Sequence, residues 1–333
     1  MLKSVLFSFL TIALIIVLAF GVWLFRCSSY LNGHFITGEY SIEKGESFYS
    51  FYSKVFSEHK PPFALKTYLI MKGYDKKIHF GEYNADNISL KELLENVVSG
   101  RQSLLKVTIP EGYNMYDIAS ALEMAGISSK REMLSVFKDR GIAEKLVGTS
   151  YESLEGFLAP GTYFFAKNLS GERIVQTFVK EFFRTLPKDF DALAKRNGLS
   201  FYDALILASI VQKETYIETE APLVAAVFIN RIKKRMRIQA DPTIIYGKYE
   251  NYDGTISKSD LRDKNNRFNT YTHNGLPPTP ISNPSALTLA AVANPTKTDY
   301  IYFVAKQDGT HVFSKSYAEH SRNVNLYQKR RQQ

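Results

Sequence analysis

SFYDALILASIVQKET, residues 200–215, decides most of what can be read about the second half of this chain. Ser200 followed by Asp203 is a helix start, because a hydroxyl and a carboxylate three residues apart satisfy N–H groups that a first turn leaves unpaired. Ala204, Leu205, Ile206, Leu207, Ala208, Ile210 and Val211 make the helix Phe201–Thr215 apolar almost all round, which predicts burial. Glu214 lies three, four and seven residues after Val211, Ile210 and Leu207 and so shares their face. Gln212 points nearly the opposite way. The helix therefore ends by aiming one carboxyl off a buried face. Partial desolvation raises a carboxyl pKa and favours the protonated form near neutrality, which is the state a general acid needs. The plainer reading is a solvated carboxylate at a helix end, and position alone leaves both open.

Outward from this helix, short unusual motifs crowd the chain after about residue 150. Leu154–Tyr163 is a loop with aromatic flanks, in which Glu155 bonds backbone groups of that loop. Arg231, Lys233, Lys234, Arg235 and Arg237 read as a solvated basic helix end, or as a surface for acidic glycan or lipid headgroups. Asp241, ahead of Pro242, starts a turn. Glu218 falls one turn beyond Glu214 if the helix persists. The loop Asn269–Pro284 is rich in proline and asparagine and reads as a rigid turn or as a carbohydrate surface. In the second case amides and hydroxyls bond the sugar and aromatic faces cover it. His311 and His320 cap or fill structure, or act as ligands or bases. Tyr300–Ala305 and Thr310–Ser314 flank Asp308-Gly309, a hairpin signal. Ser316 and Glu319 open a last helix.

The first half repeats a simpler pattern. Tyr40-Ser41-Ile42, a turn at Gly45 and an aromatic helix from Ser47 to Phe56 are echoed by Ile109, Gly112 and a helix through Ile118. Ile42 matches Ile109, Phe48 matches Met115, Tyr49 matches Tyr116 and Phe51 matches Ile118. Ser89-Leu90-Lys91-Glu92 starts another helix, which Gly100 stops.

Composition removes whole classes. The 333 residues are 45% hydrophobic and 23% charged, which excludes a disordered or fibrous chain. The single cysteine, Cys27, excludes a disulfide scaffold and a multi-cysteine zinc site. None of the six histidines sits in an H-E-x-x-H frame. There is no G-x-S-x-G, P-loop or G-x-G-x-x-G, so nucleophilic serine and nucleotide chemistry have no support. A formal charge of +9 asks for an acidic partner without choosing nucleic acid, lipid or wall polymer.

The amino-terminal run VLFSFLTIALIIVLAFGVWLF, residues 5–25, is uncharged and long enough to cross a bilayer as one helix. A cleaved signal peptide ending near Ala19-Phe20-Gly21 is the alternative, but the apolar run continues through Trp23, Leu24 and Phe25. Arg26 before Cys27 is wrong for lipoprotein processing. The reading is a short cytoplasmic head over 1–4, an anchor over 5–26 and a linker over 27–39. The body then lies outside the cytoplasm, which removes nucleic acid as a partner.

Taken together, the motifs resemble the YceG-like endolytic murein transglycosylases, known as MltG. The likeness rests on Ala208–Thr215, Val227–Arg231, Gln239–Thr243, Asn269-Thr270-Tyr271, Gly275–Pro278, Pro280–Pro284 and Tyr302–Ala305. It covers nearly everything after the anchor. The resemblance implies an α+β protein with an N-terminal transmembrane helix, a small LysM-like subdomain over 40–105 and a larger mixed α+β catalytic region over 106–333. It implies a single-pass inner-membrane lyase that cuts peptidoglycan glycan strands internally, beside wall polymerases, with no metal or organic cofactor. Family members often carry two glutamates where this chain has Gln212 and Glu214, so the acid/base falls to Glu214. Thr279 and Ser285 stand where glycine is usual. Gln239, Asn269, Tyr271 and Asn283 are the expected substrate-positioning residues. A membrane-tethered, non-catalytic glycan-binding scaffold is the competing reading. A hydrolase using a second carboxylate, Glu218 or Asp241, is another.

Overall fold

The computed structural model describes residues 2–56, 61–76, 78–167, 169–306 and 308–329. Met1 of the expected head and residues 330–333 of the expected catalytic region lie outside the described residues. The chain forms two compact units, one holding everything up to Leu105 plus Phe165–Lys167, the other the remainder.

The first unit opens with α1 (Leu2–Gly33), followed by β1 (Phe35–Ile42), α2 (Phe48–Phe56), α3 (Leu65–Met71), β2 (Gly81–Ser89) and α4 (Leu90–Ser99). β1 and β2 pair antiparallel from Phe35↔Ser89 to Ile42↔Gly81, with an irregularity between Ile36 and Gly38. Ser89 caps α4 by accepting the Glu92 N–H, and Gly100 ends it at φ 68, a left-handed conformation that favours glycine. Phe48, Phe51, Leu65, Leu69, Leu90, Leu93 and Val97 fill the core.

The stretch 27–39, expected as a linker, is instead helix and strand. α1 runs unbroken to Gly33 and β1 begins two residues later. The reason is burial. Cys27 and Leu31, one turn apart, are 0% and 2% exposed and belong to the core of this unit. Trp23, Leu24 and Tyr30 pack against the same core. No helix breaker intervenes, so the apolar helix passes straight into the folded unit. From Val5 to Gly33 it is long and apolar enough to cross a membrane and fits a single-pass anchor.

β3 (Leu104–Ile109) passes from the first unit into the second, which continues with α5 (Met115–Met124), α6 (Lys130–Phe137), α7 (Arg140–Val147), β4 (Gly161–Ala166, as far as Phe164), α8 (Gly171–Thr185) and α9 (Phe190–Arg196). Next come α10 (Phe201–Glu214), α11 (Ala221–Lys233), α12 (Asp241–Gly247), α13 (Ala286–Ala293), β5 (Tyr302–Ala305), β6 (His311–Ser314) and α14 (Tyr317–Val324). β5 and β6 form the expected antiparallel hairpin, and Ser316 caps α14. The architecture is mixed α+β, as expected.

α10 is the axis of this unit and packs against α9, α11, α12 and α13. Every residue from Ala204 to Gln212 is buried, as the all-round apolar pattern predicts. The capping box of Ser200 and Asp203 is present with both of its hydrogen bonds. The strand–glycine–helix echo is also real. Ile42 and Ile109 are buried, as are Phe48 and Met115, and Phe51 and Ile118. Gly45 and Gly112 turn at φ 89 and 77.

Leu31→Ala is expected to destabilise the first unit by about 2–5 kcal/mol through cavity formation. Ser29→Ala, at an exposed position on the same helix, is expected to stay within about 0.5 kcal/mol. Thermal unfolding of the two full-length variants in detergent, followed by limited proteolysis, measures both.

Candidate active site

Glu214 is the last residue of α10. Thr215 leaves the helix in an extended conformation, φ −143 and ψ 138, so the chain turns away just after the carboxyl. Glu218 is therefore carried off the helix and is exposed. The Glu214 side chain is half-buried and faces a cavity of about 490 Å³. Gln239, Asp241, Tyr271, Arg231 and Tyr302 line the same space. Burial pushes the Glu214 carboxyl up to about 7. The charge of Asp241 adds to that rise and the Arg231 guanidinium opposes it.

Three of the five site residues expected from sequence thus meet in one cavity: Glu214, Gln239 and Tyr271. Asn269 and Asn283 do not, and this corrects the expectation. Both are 0% exposed. The Asn269 amide donates to the carbonyls of Asp260 and Asp263, each at 2.9 Å, and its Oδ1 accepts the Tyr271 N–H at 3.0 Å. The Asn283 amide donates to Tyr113 O at 3.0 Å and Glu155 Oε1 at 2.7 Å, while its Oδ1 accepts the Leu158 N–H at 2.8 Å. Their hydrogen-bonding capacity is committed inside the protein. A long, strandless loop must pair its buried backbone groups, and these amides do it. Asn269 still serves the cavity indirectly, since it fixes the backbone of Tyr271.

Arg231 is a second correction. It sits in the run read as solvated, and Lys233, Lys234, Arg235 and Arg237 are indeed exposed, but Arg231 is 8% exposed. Its Nε donates to Ile301 O at 2.7 Å and a terminal nitrogen donates to Ile238 O at 2.6 Å. Its guanidinium lies over the Tyr302 ring, 5.3 Å from the centroid. The signal was available in the sequence: Arg231 falls three, four and seven residues after Phe228, Val227 and Val224, the same rule that singled out Glu214.

Asp241 opens α12 ahead of Pro242 and accepts the Tyr271 hydroxyl at 2.7 Å. Burial, then this bond, raises the Tyr271 pKa and keeps the phenol protonated. Gln239 takes a left-handed backbone, φ 53, which is costly for a residue with a side chain. Its N–H donates to Thr270 O at 3.3 Å, and the next N–H, of Ala240, donates to Thr270 Oγ1 at 3.0 Å. The conformation is imposed by that anchorage and turns the Gln239 side chain toward the cavity.

The remaining candidates sort cleanly. Gln212 is buried opposite Glu214, and its Oε1 accepts the Ser285 N–H at 2.9 Å and the Thr288 hydroxyl at 2.8 Å, so it anchors the start of α13. Glu155 bonds a backbone group, but at the start of α5 instead of in its own loop. His311 lines the cavity while its Nδ1 sits 2.7 Å from Glu220 Oε2. His320 stacks on Tyr302, with centroids 5.0 Å apart, and burial followed by Arg231 lowers its pKa. Among the described residues no cluster of three or more His, Cys, Asp or Glu is gathered to hold a metal.

Fold and site together define an α+β protein with an apolar amino-terminal helix and a cavity built around one desolvated carboxylic acid. The chain belongs to the YceG-like family, whose model matches residues 40–326. It is 29% identical over 255 residues to the endolytic murein transglycosylase of Bacillus subtilis strain 168, covering 72% of this chain and 70% of that protein. The endolytic murein transglycosylase of Streptococcus pneumoniae strain D39 is 27% identical over 274 residues, 73% of this chain but half of that protein. The crystal structure of a yceG-like protein from Listeria monocytogenes superposes with a TM-score of 0.59 at 26% identity, covering 87% of this chain and all of that one.

Asp241→Asn removes the negative charge that helps raise Glu214, so the Glu214 pKa should fall. A reaction that needs protonated Glu214 loses rate as pH rises through about 7. The alkaline limb of the variant's pH–rate profile is expected at lower pH than that of the wild type. An unmoved limb would show that Asp241 does not tune the acid.

Proposed function

We infer that this chain is an endolytic murein transglycosylase, a lyase that cleaves peptidoglycan glycan strands at internal bonds. The observation that carries the reading is Glu214: one carboxyl held near neutrality by burial, facing a cavity large enough for sugar rings. Family membership and the names of the relatives point the same way.

The chemistry needs one carboxyl. Protonated Glu214 donates to the glycosidic oxygen between N-acetylmuramic acid and N-acetylglucosamine. The bond from that oxygen to C1 of the muramic residue breaks, and the N-acetylglucosamine side leaves with the proton on its new hydroxyl. The muramic C6 hydroxyl oxygen closes on C1, and the Glu214 carboxylate takes the C6 proton. The product ends in a 1,6-anhydro ring and Glu214 is again protonated. Both proton transfers fall to a group whose pKa near 7 suits donation and acceptance alike. Gln239, and Tyr271 held by Asp241 and Asn269, are proposed to position the substrate. The charge of Asp241 and the π-face of Tyr271 suit the positive charge that develops at C1. A second reading has one observation in its favour: Asp241 lines the same cavity. A paired carboxylate of that kind would activate water and leave a reducing end.

The finer assignments belong with this reading. The order β1-α2-α3-β2, with the strands antiparallel, supports a LysM-like, glycan-holding role for residues 40–105. Residues 106–333 then make the catalytic region, and α1 anchors it in the cytoplasmic membrane with the body on the outer side. Wall polymerases are the proposed neighbours there.

Glu214→Gln is expected to lower turnover of purified glycan strands by roughly 10²–10⁴, the usual worth of a general acid–base, with folding intact. Mass spectrometry of wild-type products should show internal fragments ending in 1,6-anhydromuramic acid. Reducing ends would select the Asp241-assisted hydrolase, and no cleavage by a folded, glycan-binding wild type would select a scaffold.

A further inference from the structure

The first unit contains a cavity that the reaction does not use. It measures about 620 Å³ and lies between α1 and the segment Pro62-Phe63. Ala19, Val22 and Trp23 form the α1 wall, so the inner wall is the last part of the apolar span itself. Arg26 and Tyr30 line it farther along the helix. From Ala19 to Arg26 the helix rises about 10 Å, at about 1.5 Å per residue, which matches the acyl-to-headgroup boundary of a bilayer.

Two observations set the depth of the opposite wall. Trp23 Nε1 donates to the Phe63 carbonyl at 3.0 Å. The polar edge that an interfacial tryptophan usually offers to headgroups is thus committed to this loop. The loop is thereby held at the level of the end of the span. Phe63 itself is 92% exposed, an apolar ring with no protein cover at that level. The Trp23 ring also packs edge-on to Tyr68 of α3, 6.2 Å between centroids. The first unit is therefore seated on the membrane helix without a flexible joint.

The polar end carries an unpaired cation: Arg26 makes no ion pair among the described residues. Beyond it on α1, Ser28 and Leu31 line a smaller cavity of about 240 Å³ together with Lys72 and with Lys91, whose ammonium is paired with Glu95 at 3.8 Å. Lys72 lies over the Tyr68 ring, 5.8 Å away. An apolar slot that opens on the span and ends at cations fits an amphiphile with an anionic head.

We propose that the cleft between α1 and Pro62-Phe63 holds one anionic phospholipid, its acyl chain along Ala19, Val22 and Phe63 and its phosphate at Arg26. The bound lipid completes the wall between the membrane helix and the first unit. This rests on reading α1 as a membrane anchor.

Trp23 is the only tryptophan in the chain, which makes it a built-in reporter. The full chain is reconstituted in phosphatidylcholine vesicles carrying, at equal mole fraction, either phosphatidylglycerol or phosphatidylcholine with brominated acyl chains. Brominated phosphatidylglycerol is expected to quench Trp23 with about five-fold preference, the worth of one cation at an anionic headgroup. Arg26→Gln should erase the preference and Arg26→Lys should keep it. Free inorganic phosphate should not compete, because it lacks the chain. Equal quenching of wild type by both lipids overturns the proposal, as does a preference that survives in Arg26→Gln. Loss of the preference in added phosphate would show headgroup binding alone and overturn the acyl-chain site. Failure of the chain to float with the vesicles would instead overturn the anchor reading.

Discussion

A buried carboxylate ties the second unit together. Glu155 is 0% exposed and accepts the Met115 N–H that starts α5, the Tyr246 hydroxyl of α12 and the amide of Asn283 ahead of α13. Three segments far apart in sequence thus share one acceptor. Burial pushes its pKa up to about 8, against the pull of those three donors. Removing one partner from such a network leaves a buried polar group unsatisfied, which costs about 1–3 kcal/mol or more. α12 carries Asp241 at its first position, and the loop that closes on Asn283 also carries Tyr271, so this knot sets the frame in which the cavity exists. Gly156, beside it, has no room for a side chain: a Cβ there would lie 2.7 Å from Pro280 Cγ.

Two carboxyls in this fold are therefore driven upward by the same cause, and they serve different ends. Glu155 is fully enclosed and every donor around it belongs to the protein. Glu214 is held at the end of a buried helix with its side chain open to a cavity. Desolvation alone does not make a carboxyl a candidate acid. The difference lies in what the carboxyl can touch, and in the pair of opposed charges, Asp241 and Arg231, that bracket Glu214 and not Glu155.

The same distinction separates the polar residues expected to hold substrate, three of them in the long loop and Gln239 just ahead of α12. Asn269, Asn283, Gln239 and Tyr271 look alike as sequence, polar or aromatic side chains in proline-rich surroundings. In the fold, two of them saturate internal donors and acceptors and two line the cavity. The buried backbone of a loop without strands needs partners as much as a sugar does, and asparagine supplies them for either purpose. Arg231 went the other way. It sits in a run of exposed cations, and its spacing from Val224, Val227 and Phe228 together with its contacts to Ile301, Ile238 and Tyr302 sets it apart from its neighbours.

Much of this was legible in the chain alone. Periodicity named α10, its capping box and the face that carries Glu214, because a 3.6-residue repeat ties side-chain direction to sequence spacing. Turn chemistry located Gly45, Gly100, Gly112 and the β5–β6 hairpin, because left-handed backbone selects for glycine. The apolar amino-terminal run identified itself by length. Tertiary structure alone decided that α1 continues to Gly33, since the burial of Cys27 and Leu31 depends on α3, α4 and β2 arriving beside them. It alone decided which of Gln239, Asn269, Tyr271 and Asn283 face the cavity. Local pattern reports a residue's own direction, but satisfaction of a polar group is a property of its partners. In this protein those partners lie as many as 170 positions away.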